Sequence, residues 1–503
     1  MRFLWRALLS FGPLIAVAAG FVAVGEYATE FAGSSRLPDL GLVRGVSSPL
    51  ESRFGYVPVQ GSERDDVIVI TQAGDGVLAV TTNGWRRDYS IDGGRRLAVF
   101  GRGGDDIIRV ETGVDHGLVL NGGDGDDLLV GGAGDDILGG GEGDDIIRGR
   151  DGDDLVDAGS GADIVHLGAG HDGADGGDGH DQLAGDDGDD YLQGGPGRDT
   201  LLGLRGDDVL YGLGGGDRLA GGAGADYLDG GAGGDTLEGG GESDIVFGGT
   251  GDDLLNAAAG GDLLAGGAGR DTHLAGPRSR VFTDAGDAPT LGARGAATIV
   301  CAPRATAPTR EAEDAAIHRA IGDVRLQTGD AVKIFDDRYG FATRAGSDLE
   351  ALRSIPLGRD LLAALTASGR TVELRATDGG NGISFEETFD GYVRVDGEPG
   401  PGTGSRVGYN PYRTAVGDGE RDWQRRPPIV GLVHELVHAL NGAYGVLQPG
   451  DDALQRQAIG EAVNARAQDG APTASTSLGR AALQAIDENA FRAFLGLPLR
   501  EPR

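Results

Sequence analysis

The run Gly122–Val130, GGDGDDLLV, is followed without a gap by GGAGDDILG, GGEGDDIIR and GRDGDDLVD, and the same nine-residue ruler continues to Leu274. Seventeen units fit it with no insertion. The sixth place is aspartate in every unit: Asp127, Asp136, Asp145, Asp154, Asp163, Asp172, Asp181, Asp190, Asp199, Asp208, Asp217, Asp226, Asp235, Asp244, Asp253, Asp262 and Asp271. The eighth place is apolar, from Leu129, Leu138 and Ile147 onward, until His273 breaks the rule in the last unit, where a stack of repeats needs a cap.

A glycine pair at the front of a unit permits turns with positive φ, and the xDxUx remainder supplies a short strand with one inward apolar side chain. One unit therefore makes half a coil. Facing turns bring the position-six carboxylates to backbone carbonyls, the oxygen-rich surroundings that Ca²⁺ takes and that the tight octahedron of Mg²⁺ does not. Without metal the stacked carboxylates repel, and one aliphatic side chain per unit buries too little to offset the ordering entropy of nine residues. Folding is thus expected to be coupled to calcium. At about 4.8 Å per coil, the seventeen units make a rod of roughly 40 Å.

The GGxGxDxUx pattern resembles the RTX haemolysin-type calcium-binding repeats. That resemblance implies a right-handed parallel β-roll over 122–275 and an extracellular or cell-surface setting, where free calcium is high. RTX proteins often carry a secretion signal after the repeats; here a different domain of about 230 residues follows, which leaves the export route open.

Composition agrees with this reading. Glycine numbers 96 of 503 residues and the formal charge is −35, so divalent cations are attracted and nucleic acid is excluded as a partner. Cys301 is the only cysteine, which rules out an intrachain disulfide and leaves packing or metal to hold an exported chain together. Arg2 and Arg6 precede an apolar run from Ala7 to Val24, so residues 1–28 read as a signal peptide or a membrane anchor, the one feature suggesting a membrane contact. Residues 29–57 read as a linker. Alternating stretches such as VIVITQ and VLAVTTNG make 58–121 a β lead-in to the repeat.

Residues 276–305 read as a second linker, and 306–503 as an α+β domain. Helical periodicity is expected in TREAEDAAIHRAI and GRDLLAALTASG, then strands at TVELRA and around Gly382 to Asp396. In IVGLVHELVHALNGAYG, His434 and His438 share a helix face and can bind one metal, with Glu435 placed as general base toward a water. Two imidazoles and a carboxylate in an apolar helix are costly to bury without a metal or other partners. No histidine follows His438, so a carboxylate is the natural third ligand, and Asp451, Asp452, Glu461, Asp487 and Glu488 are candidates. On the helical wheel of 483–494, Leu483, Ile486, Ala490 and Phe494 form one apolar face, with Asp487 nearer to it than Glu488; Glu461 points inward with Leu454, Ala458 and Ala465.

GRDLLAALTASGRTVEL, the Tyr409–Pro411 YNP, RPPIVGLVHELVHAL and the tail DENAFRAFLGLPLR together resemble effector-type metallopeptidases of the NleD kind, some of them fused to RTX repeats. The resemblance covers about 150 residues. It implies a zincin-like domain with one Zn²⁺ and a polypeptide substrate. In that family the tail reads TENxxRxxxGxPxR; Glu488, Asn489, Arg492, Gly496, Pro498 and Arg500 match, which nominates Glu488 as third ligand, with Glu461 the alternative. The family often has glutamate where Gln455 stands, a departure that encourages the reading of a catalytically silent domain.

The expectation is therefore a multidomain, secreted or surface calcium-binding protein with zinc-dependent endopeptidase activity. The alternatives are a matrix, adhesion or envelope protein with a silent peptidase-like domain, or a toxin or effector whose roll serves export only. A strand near Arg406 to Tyr409 is a candidate to pair with an extended substrate. Tyr409 or Tyr444 could steady an oxyanion, against the plainer reading of both as core or surface residues.

Overall fold

The computed structural model describes residues 56–91, 95–257, 259–283, 287, 291–292, 297–300, 325–326, 332–335, 341–377, 381–385, 402–410, 427–444, 487–495, 497 and 499. The chain forms two compact units, Met1–Val300 and Cys301–Arg503. The proposed signal or anchor, the helix expected in TREAEDAAIHRAI, and Asp451, Asp452, Gln455 and Glu461 lie outside the described residues. Among the described residues no helix is long and apolar enough to cross a membrane.

The first unit is a β-solenoid of two parallel sheets. Successive units alternate between the sheets, so each strand pairs with the one eighteen residues on. In the 14-stranded sheet Val165 stands against Leu183 and Leu183 against Leu201, and in the 13-stranded sheet Leu192 stands against Leu210 and Leu210 against Leu228. These eighth-position side chains are the core. Leu129, Leu138, Ile147, Leu192, Leu210 and Val246 are fully buried in a single column between the sheets.

The solenoid is longer than the repeat. On the N-terminal side, strands Tyr56–Gln60 and Arg96–Gly103 pair in parallel with each other, and Arg96–Gly103 pairs with Val119–Asp124. Val67–Gly74, Val77–Thr82 and Trp85–Ser90 add an antiparallel meander to the edge of the other sheet. On the C-terminal side, Arg280–Thr283, Leu291–Gly292 and Ala297–Val300 continue both sheets through the stretch read as a linker. Lost repeat chemistry does not stop a strand from pairing with the exposed edge before it. The 13-stranded sheet therefore spans roughly 58 Å at about 4.8 Å per strand.

In the second unit a five-stranded sheet runs in the order Arg325–Leu326, Val332–Phe335, Val372–Ala376, Ser405–Tyr409, Gly382–Phe385. Helices α1 (Phe341–Ser354) and α2 (Pro356–Ala367) meet at Ile355, which the following proline holds extended at φ −112° and ψ 146°. Helix α3 (Pro428–Ala443) begins with proline in its first turn, where a missing N–H costs nothing, and all 16 of its residues are buried. Helix α4 (Glu488–Leu495) packs against α3. Asp487 caps α4, its Oδ1 accepting the Ala490 N–H at 2.7 Å.

That cap alters the expected wheel. The buried face of α4 is Glu488, Phe491, Arg492 and Leu495, whereas Ala490 and Phe494 are half-buried. The helix starts at the cap, and Leu483 and Ile486 of the expected wheel lie outside the described residues.

Candidate functional site

Two sites emerge, one in each unit. In the solenoid the position-six aspartates are almost wholly out of solvent; Asp145 and Asp190, for example, are 1 % and 2 % exposed. Except at Asp262 and Asp271, each backbone N–H donates to Oδ1 of the aspartate one coil on, for example Asp127 to Asp145 at 2.8 Å, Asp145 to Asp163 at 2.7 Å, and Asp154 to Asp172 at 2.7 Å. The carboxylates are therefore fixed in two vertical ladders, one for each row of turns.

The second oxygen has no such use. Among the described residues, Oδ2 of Asp127, Asp145, Asp154, Asp163, Asp172, Asp181, Asp190, Asp199, Asp208, Asp217, Asp226, Asp235, Asp244 and Asp253 is buried without a hydrogen-bond partner. A native protein tolerates very few such atoms, and a regular file of them points to an absent group. The surroundings fit a hard cation. A methyl placed on Gly140 would lie 2.2 Å from Asp145 Oδ2 and 2.4 Å from the Ala158 carbonyl, so both oxygens face one small space that only glycine leaves open. Without metal, burial drives these carboxyls toward the neutral form, to about 7 at Asp127, about 8 at Asp145 and about 9 at Asp154, and neighbouring aspartates push the same way.

Three of the seventeen expected positions differ. Asp136 Oδ2 accepts the Gly132 N–H at 2.6 Å, and Asp262 Oδ2 accepts the Ser279 hydroxyl at 2.8 Å. Asp271 ends its ladder with its N–H directed at Asp287 Oδ1, 3.3 Å away. The repeat register also missed a residue. Asp106 Oδ2 is buried without a partner like the others, and its signal was the stretch GRGGDDIIR at 101–109, a repeat with arginine at its second place.

In the second unit, α3 brings His434 and His438 together with Nε2 facing Nε2 at 3.2 Å, both side chains buried and the rings nearly perpendicular. Two nitrogens bound at about 2.05 Å to one tetrahedral zinc stand about 3.3 Å apart, so the pair fits that ion. Glu435 is 5 % exposed on the same helix. His434 Nδ1 is 2.7 Å from Glu488 Oε2, and Glu488 Oε1 accepts Arg492 Nε–H at 2.8 Å. Glu488 and Arg492 are fully buried.

This geometry changes the role expected of Glu488. It stands behind His434, on the imidazole nitrogen directed away from His438, and so fits the carboxylate that orients a histidine ligand rather than a ligand itself. Among the described residues no three His, Cys, Asp or Glu side chains converge on one point. Asp487 is half-buried and used as the cap of α4.

The tyrosines follow the plainer reading. Tyr409 is fully buried and donates to Asp348 Oδ2 at 2.6 Å, within a cluster that includes the buried Arg344–Asp348 ion pair. The Tyr444 hydroxyl donates to the Ala364 carbonyl at 3.1 Å. The strand Ser405–Tyr409 is flanked by Val372–Ala376 on one side and Gly382–Phe385 on the other. Both of its edges are taken, so it cannot accept a substrate strand. Among the described strands, Gly382–Phe385 has the outer edge at that end of the sheet.

Comparison with known families falls on the same two units. Residues 330–502 match the Peptidase_M91 family, described as effector protein. Residues 119–147, 139–174, 175–210, 202–237, 211–246 and 238–272 match the RTX calcium-binding nonapeptide repeat. No curated protein matches the chain. The chain thus joins calcium-binding RTX repeats to a C-terminal effector domain of a peptidase family.

Proposed function

We propose that the protein is a secreted or surface zinc endopeptidase carried on a calcium-dependent roll. The observation that bears most on the enzyme half is the 3.2 Å approach of His434 Nε2 and His438 Nε2 within a domain matching a peptidase family. Zinc held there would polarise the scissile carbonyl and activate water. Glu435 would take the proton from that water and return it to the departing amine. Glu488, held by Arg492, keeps the His434 tautomer with Nδ1 protonated and Nε2 free to bind. Glu461 is then the candidate for the third ligand. An extended peptide would add to the outer edge of Gly382–Phe385, a strand that packs against α3.

A peptide-library digest by the full chain and by Glu435→Gln, with zinc measured in both, tests this reading. One zinc per chain in each, and cleavage by the wild type alone, is expected. Absence of both zinc and cleavage would favour the alternative of a calcium-binding matrix, adhesion or envelope protein with a silent domain, the reading that Gln455 supports.

A further inference from the structure

The calcium ladder does not begin and end where the nine-residue register places it. Asp106 lies outside the matched repeats, in a turn separated from Asp66 by the antiparallel meander 67–90. Its backbone N–H donates to Asp127 Oδ1 at 2.7 Å, and its own Oδ1 accepts the Asp66 N–H at 2.7 Å, which places it one rung below Asp127. Its Oδ2 is buried with no partner, and the side chain is 1 % exposed. A methyl on Gly101 would lie 2.0 Å from that oxygen and 2.6 Å from the Gly122 carbonyl, the same cradle found at Gly140. Even the backbone conforms: Arg102 holds φ +94°, as Arg150 holds +91° at the equivalent place inside the repeat.

The next rung down is closed by the protein. Asp66 Oδ2 accepts the Ser62 N–H and its Oδ1 accepts Asn83 Nδ2–H, both at 2.5 Å. Asp136 and Asp262, at opposite ends of the second ladder, are closed in the same way by the Gly132 N–H and the Ser279 hydroxyl.

We propose that the turns 101–106 and 122–127 hold a calcium ion through Asp106, and that Asp136 and Asp262 end their ladder without an ion of their own. This rests on reading the interior aspartates as calcium ligands. The added ion ties the N-terminal meander to the roll, making the lead-in part of the calcium-dependent body. The ladder ends are set by local hydrogen bonds, because a carboxylate already bonded to the protein offers less to a cation.

Hydrogen exchange of the full chain in calcium and in chelator tests this. In the wild type, 97–110 and 190–230 should both gain protection with calcium. Asp106→Asn should abolish the gain at 97–110 and leave it at 190–230. Gly101→Ala, which fills the cradle and keeps the carboxylate, should do the same. Asp136→Asn and Asp262→Asn should leave the bound calcium per chain unchanged, while Asp190→Asn lowers it. Calcium-dependent protection at 97–110 that survives both Asp106→Asn and Gly101→Ala overturns the site, as does a wild type in which 97–110 ignores calcium while 190–230 responds. A decrease in bound calcium with Asp136→Asn or Asp262→Asn overturns the ladder ends. If 190–230 ignores calcium too, the calcium reading of the interior aspartates fails first.

Discussion

Glu488 Oε2 lies 2.7 Å from His434 Nδ1, across the imidazole from the nitrogen that meets His438. A carboxylate there orients the ring and raises its basicity, and losing such a partner costs about 10–100-fold in metal affinity where losing a ligand costs far more. Glu488→Gln is therefore expected to retain zinc with affinity reduced by about that factor. Competition with a chromogenic chelator measures it. Complete loss of zinc with the fold intact would return Glu488 to the ligand set.

Arg492 is fully buried and its Nε–H donates to Glu488 Oε1 at 2.8 Å. Removing one partner of a buried pair leaves a charge without compensation, at about 3–5 kcal/mol. Arg492→Met should lower the stability of the C-terminal unit by that order, while a double Arg492→Met, Glu488→Gln variant recovers part of it. Denaturant melts of the four chains give the coupling directly.

Much of this was legible in the residues, and the failures have physical causes. The nine-residue register specified the roll because each unit repeats both its turn and its core side chain. Asp106 escaped because it stands 21 residues before Asp127, off the nine-residue ruler, and the Gly132 N–H that meets Asp136 Oδ2 is a detail of turn geometry that no spacing encodes. The HExxH pattern placed His434 and His438 on one face because they lie one helical turn apart. Glu488 stands beside His434, and which imidazole nitrogen it faces is a matter of helix packing that no spacing encodes. The strand at Ser405–Tyr409 was read as an edge because strand order across a sheet is a tertiary property.

The metal-free roll should respond to acid in the opposite sense to most proteins. Burial raises the Asp145, Asp190 and Asp208 carboxyls to about 8 and Asp253 to about 9, from 3.8. A folded-state value above the unfolded one contributes stability that is complete below pH 3.8 and is lost as pH rises through 8 to 9. In chelator, strand content by circular dichroism should therefore rise as pH falls from 9 to 5. Calcium should reverse the order, since it binds the ionised form. A chelated roll that melts at the same temperature at pH 5 and pH 9 would refute the burial of these carboxyls.

His273 supplies a counter-current to that trend. It occupies the eighth place of the last unit, stacked on Leu255, is fully buried, and neither ring nitrogen has a hydrogen-bond partner among the described residues. Burial lowers its value to about 4 from 6.5. The neutral ring is thus the folded form, and its contribution is present above pH 6.5 and lost as pH falls toward 4. A buried polar group without a partner costs about 1–3 kcal/mol. His273→Leu restores the rule of the repeat, so it should raise the melting temperature of the calcium-loaded chain and remove the acid-side loss between pH 6.5 and 4. Thermal melts of both chains across that interval measure the effect, and a leucine variant less stable than wild type at pH 7 would overturn this reading.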